Sequence, residues 1–130
     1  MIGAVMTAST AYLGRWGRIG EAARRARAVP ANRIIALVIV LLYNAAGFAD
    51  IYSTVEALGL GASEANPVVR TAMDALARYW VAPKLATQAL VTAMVLWFPH
   101  RLVMAVFSVA VAATMVVVLN NLRIVSMLAG

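Results

Sequence analysis

The 130-residue sequence contains no cysteine and a single histidine, His100. Without thiols there is no disulfide framework, no Cys-based zinc site and no thiol nucleophile. One histidine excludes a multi-histidine metal site within the chain, so no metal ligand set is expected. Charge is scarce as well. Asp, Glu, Lys and Arg make up 12% of the residues, against about 25% in soluble domains. There is no sequence repeat and no low-complexity segment. Residues 1–14 carry no positive charge, and the basic residues follow the first apolar stretch. That order does not fit a secretory signal, and the stretch is expected to stay in the mature protein.

The chain is instead apolar. Hydrophobic residues account for 64% of it, where about 45–50% is usual, and the mean hydropathy is +0.87. Both departures describe a chain that uses lipid as its solvent. Its length suits one compact domain and leaves no room for a separate soluble one. The expected fold class is all-α: an integral membrane helical bundle of three transmembrane helices. A basic amphipathic segment precedes the bundle, and a short interfacial helix lies on its outer side.

Residues 1–30 form the basic leader. In YLGRWGRIGEAARRAR, Leu13, Trp16, Ile19 and Ala23 recur at steps of three or four and share a helical face, while Arg15, Arg18 and Arg25 lie largely off it. Such a pattern suits a helix lying on anionic lipid. Gly14, Gly17 and Gly20 weaken it, so a partly disordered leader whose charge only sets topology stays open. Nucleic-acid binding is the minor reading of the same arginines. Pro30 then breaks the chain.

Residues 31–130 form the transmembrane domain, with spans at about 34–58, 81–98 and 102–122, each near the roughly 20 residues that cross a bilayer. Between the first two, Asn66-Pro67 reads as a helix start, with Asn66 as cap and Pro67 at the first position. Whether that helix runs on into the second span, and whether LRIVSMLAG extends the third, both stay open. Tyr79-Trp80 and Trp97-Phe98 stand where aromatic belts belong. Six arginines between Arg15 and Arg33 place the N-terminus in the cytoplasm, and His100-Arg101 falls on the same side. Three spans then put the C-terminus outside. The expected location is the cell's inner, cytoplasmic membrane.

That topology gives the polar residues a common depth. Asp50 lies roughly 24 Å along the first span, Lys84 about 5 Å into the second from its outer end, and Asn120 and Asn121 roughly 27 Å along the third. Ionisable groups inside a membrane usually face the bundle and pair, and Asp50 and Lys84 are the natural couple. Thr54 lies one turn from Asp50, and Gln88 one turn from Lys84, with Thr92 continuing that stripe. Ala46, Gly47 and Ala49 allow close approach of helices beside Asp50. Glu64 is placed to join the cluster as a second acid. The candidate ligand or ion cluster is therefore Asp50, Thr54, Glu64, Asn66, Lys84, Gln88, Asn120 and Asn121. Asn44 reads as a structural helix-to-helix hydrogen bond.

Asn44 and Asp50 ahead of Ser53-Thr54, then Glu64-Ala65-Asn66-Pro67, then Lys84 in the next span, together resemble a known family. It comprises small prokaryotic membrane proteins catalogued as a domain of unknown function. Their pattern is an Asn/Asp-x-x-Ser/Thr segment, a Glu-x-Asn-Pro turn and a membrane lysine. The similarity covers about residues 34–121 and leaves the leader outside. It implies a membrane domain of three or four spans, and it implies no activity.

The leading functional expectation is a non-enzymatic accessory or scaffold subunit, in which the polar cluster fixes helix register. The first alternative is a small oligomeric transporter, channel or ligand-binding membrane protein that uses the Asp50–Lys84 layer. The second is a membrane enzyme with Asp50 or Glu64 as acid–base, although no nucleophile–base pair is spelled out. A lytic pore-former is suggested only by size and span number. The partners expected are the lipid bilayer, anionic lipids at the N-terminal arginines, and further copies or subunits in a membrane complex. No cofactor is indicated.

Overall fold

Helices make up nearly all of the chain. The structure, a computed structural model, describes the backbone from residue 2 and the side chains from residue 14 to the C-terminus. Helix α1 spans Ile2–Ala28, α2 Pro30–Gly59, α3 Pro67–Leu76, α4 Val81–Trp97 and α5 Arg101–Ala129, with a 3₁₀ turn at Ala77–Tyr79. Among the described residues there is no strand. Helices α2 and α5 are long and apolar enough to cross a membrane, and α4 is a shorter apolar helix.

The breaks follow local chemistry. Val29 is extended and Pro30 starts α2, because proline lacks the N–H that an earlier turn would need to bond. At the far end of α2 the chain leaves through Gly61, whose φ of +93° suits glycine and almost no other residue. Asn66 then caps α3 by accepting a hydrogen bond from the Val68 N–H at 2.9 Å. The segment is braced further. Glu64 Oε1 accepts the Asn66 N–H at 2.9 Å, and Arg70 Nη2 donates to the Glu64 carbonyl at 2.6 Å. His100 caps α5 in the same manner, its Nδ1 accepting from the Leu102 N–H.

Two open points of the sequence close here. Helix α3 does not run on into α4, since Ala77 adopts φ +47° and interrupts the helix before the 3₁₀ turn. Helix α5 continues past residue 122 to Ala129, because nothing in LRIVSMLA stops it. The leader is helical through Ala28, but of its expected apolar face only Ala23 is buried, while Trp16 and Ile19 stay exposed. Leu13, the first residue of that face, lies outside the described side chains.

Helix α2 is the central element, packed along α5 and over a shorter stretch against α4. One end of the bundle, here called proximal, holds the α1–α2 and α4–α5 junctions, and the distal end holds the α2–α3 loop. The apolar core lies toward the proximal end: Ala36 and Ile39 of α2, Val95 of α4 and Met104 of α5, with Val91 and Phe107 against them. Tyr43 meets Phe107 edge to face at 6.0 Å. Outside this core the helices present large apolar side chains to the surroundings, among them Leu41 on α2 and Val109, Val116 and Leu119 on α5.

Ala77 carries the one positive φ among the described non-glycine residues. A Cβ in that conformation is strained, and glycine removes the clash. Ala77→Gly is expected to stabilise the protein by about 1 kcal/mol, read as a rise in the unfolding midpoint in mild detergent. A lower midpoint would mean that Ala77 is unstrained.

Candidate functional site

The polar residues start where the apolar core ends. Going toward the distal end, α2 presents Asn44, then Asp50, then Ser53 and Thr54, and each finds its partners on another helix. Asn44 Nδ2 donates to Thr92 Oγ1 of α4 at 2.9 Å and to the Val40 carbonyl at 2.9 Å. Its Oδ1 accepts from Gln88 Nε2 at 3.3 Å. Two turns on, Lys84 Nζ and Asp50 Oδ2 form a direct ion pair between α4 and α2. Beyond that, Asn121 Nδ2 of α5 donates to Ser53 Oγ and Thr54 Oγ1, both at 3.2 Å. These contacts tie α2 to both neighbours.

Close approach is what allows the middle rung. Gly47 faces Gln88 so tightly that a Cβ built there would lie 2.6 Å from Gln88 Cδ and 2.7 Å from its Oε1. No larger residue fits unless Gln88 moves, and Gln88 is held by Asn44 and buried, with 4% exposure. Gln88 Oε1 itself is buried without a hydrogen-bond donor. A buried acceptor left open costs stability.

The ion pair is not sealed. Asp50 and Lys84 line two adjoining cavities, one of 480 Å³ and one of 390 Å³. The larger has mostly apolar walls: Tyr43 on α2, Val69 and Ala72 on α3, and Ala113 and Val117 on α5, with Thr87 of α4 among them. The smaller sits under the α2–α3 loop and is more polar, taking in Thr54, Glu64, Asn120 and Asn121. Asn66 and Trp80 border both. Each volume falls within the roughly 300–1,000 Å³ of small-molecule sites.

Asp50, Thr54, Lys84, Gln88 and Asn121 thus lie in one connected layer, with Asn44 tied to it through Gln88. Three candidates behave differently. Glu64 borders the smaller cavity, but its carboxylate is turned to the Asn66 N–H, and the partner of Lys84 is Asp50. Asn66 borders both cavities while its side chain caps α3. Asn120 is exposed at the cavity wall, a helical step of about 100° away from Asn121, which faces α2. The sequence also understated Ser53. It is fully buried beside Thr54, and the signal was present in two adjacent hydroxyl residues three and four positions after Asp50. No group of three or more His, Cys, Asp or Glu is placed to hold a metal ion among the described residues. Comparison with family models, with curated proteins and with solved structures finds no match for this chain.

Removing one member of the ion pair strands the other charge, a loss of roughly 3–5 kcal/mol in a fully buried pair. Here the loss is smaller, because the Lys84 side chain keeps 27% of its exposure and Asp50 14%. Lys84→Met and Asp50→Asn are each expected to destabilise the protein, and the double variant to cost clearly less than their sum. Unfolding in mild detergent checks this. Additive losses would show that the two charges do not stabilise each other.

Proposed function

We propose that this protein is a multi-pass membrane protein with no catalytic activity of its own, which holds a small ligand at the Asp50–Lys84 layer. The membrane placement is supported by the surfaces of α2 and α5. In their most apolar stretches only 28% and 11% of the residues are buried. The core helix of a soluble protein would be mostly buried, so these helices need an apolar surrounding. With α4 they make three spans. Helix α4 measures about 25 Å by its rise per residue, a few ångströms short of the hydrocarbon layer. Tyr79-Trp80 and Trp97-Phe98 at its ends suit the two interfaces. The arginines of α1 and the start of α2 favour a cytoplasmic proximal end.

The observation that carries the ligand reading is that the ion pair borders two cavities of ligand size. A brace serving only helix register would be expected to bury its charges in packed side chains. Here the pair is open on one side to a largely apolar chamber and on the other to a somewhat more polar one. The scaffold role is the second reading, and the hydrogen bonds of Asn44 and Asn121 to neighbouring helices favour it, since they lock register without reference to any ligand.

Topology is tested with reporter fusions. Fusions after Gly61 and at Gly130 are both expected to report the side opposite the N-terminus. A cytoplasmic signal from Gly130 would remove the three-span arrangement.

Native mass spectra of the protein purified in mild detergent test the ligand reading. The wild type is expected to carry a bound species that Asp50→Asn and Lys84→Met both lose while remaining folded. If wild type and variants carry the same adducts, the ligand reading fails and the register brace stands.

A further inference from the structure

A third cavity, of 570 Å³, opens at the proximal end, far from Asp50 and Lys84. Arg24 and Arg27 of α1 and Arg33 of α2 line it, over an apolar floor that includes Ala36, Leu37 and Leu96. No acidic residue borders it. Two of the three cations are held from outside the cavity. Arg27 donates to the Trp97 carbonyl at the C-terminal end of α4, where the helix dipole is negative, and its guanidinium lies 5.8 Å from the Trp97 ring centroid. Arg24 Nη2 sits 2.9 Å from Glu21 Oε2. A guanidinium has five N–H donors, so one such contact leaves others for a second acceptor. Arg33 enters from the opposite side of the Pro30 break.

The cavity therefore asks for two things at once: an anion that takes several N–H donors, and an alkyl surface. Guanidinium groups match phosphate oxygens in paired geometry. Leu37 and Leu96 stand exposed beside them, at 53% and 38%. A free phosphate ion satisfies the cations and leaves the leucines bare, whereas a phospholipid satisfies both. We infer that Arg24, Arg27 and Arg33 form a discrete site for the phosphate of an anionic phospholipid, whose acyl chain lies along Leu37 and Leu96. The inference rests on the membrane placement proposed above. It differs from a general attraction of the leader to anionic lipid, since Arg15 and Arg18 take no part in the cavity.

Lipid titration followed by native mass spectrometry tests it, with phosphatidylglycerol, phosphatidylcholine and inorganic phosphate as separate probes. Phosphatidylglycerol is expected to bind one site about tenfold more tightly than phosphatidylcholine, and inorganic phosphate not to displace it. Arg33→Gln and Arg24→Gln should each weaken that site about tenfold, the loss of one charge-assisted contact, while Arg15→Gln/Arg18→Gln should leave it within about twofold. Equal weakening by the Arg15/Arg18 pair would reduce the effect to diffuse charge and overturn the site. Displacement by inorganic phosphate would overturn the lipid assignment. Among the described residues the Arg33 side chain makes no hydrogen bond or ion pair, so Arg33→Gln decides if Arg24→Gln fails to fold. Alkaline extraction of membranes separates the two levels. Release of the wild type would defeat the membrane reading, and retention without lipid selectivity would defeat the site alone.

Discussion

A lysine among apolar helices needs a counter-charge, and the bond between Lys84 and Asp50 supplies it. Much else in the distal half answers to that bond. Helix α4 must approach α2 closely enough for the side chains to meet, which puts Gln88 against Gly47. Gln88 then needs partners of its own and finds Asn44, which in turn reaches Thr92. Each polar group brought in by the pair requires another, until the chain of hydrogen bonds runs into the apolar core at Val95. The open end of the chain is Gln88 Oε1, buried with no donor.

The bundle is therefore divided along its length. Toward the proximal end α2 is held by apolar packing around Ala36, Ile39, Val95 and Met104. Toward the distal end it is held by directional bonds to α4 and α5. Apolar packing tolerates small shifts, while hydrogen bonds and an ion pair fix which residues face each other. In the membrane proposed above, the hydrophobic effect does not drive helices together, and close packing and polar contacts do it. The division gives α2 both, and it leaves space beside the charges where α3 and Trp80 roof the cavities instead of filling them.

Much of this was legible in the sequence because lipid-like composition limits where charge is affordable. An acid at Asp50 and a lysine at Lys84 stand out against Val, Leu and Ala, and helical rise alone places them at one depth. The Asn66-Pro67 start was legible for a similar reason, since a cap and a proline at the first position are local chemistry. Three things were not legible. The interruption at Ala77 depends on a strained backbone in a residue that ordinarily favours helix. The turning of Glu64 toward the Asn66 N–H depends on a loop conformation that spacing does not specify. The cationic cavity depends on the angle at which α1 meets α2, and Arg24 and Arg33 look from sequence like any other arginines of a basic leader.

Charge is also unequal between the two ends, and the inequality bears on orientation. Three proximal guanidinium groups, those of Arg24, Arg27 and Arg33, line a cavity bordered by no acid among the described residues, and Arg27 is tied to the end of α4. In the distal layer Asp50 cancels Lys84 and leaves little net charge. A paired layer costs less at the depth of the hydrocarbon than a lone lysine would, and it exerts little pull of its own toward either leaflet. On the membrane placement proposed above, the proximal guanidinium groups would set the direction of the bundle, because anionic lipid headgroups attract them and the apolar interior repels them. The two ends thus differ in charge: the proximal cavity is lined by cations, while the layer beside the distal cavities is neutralised within itself.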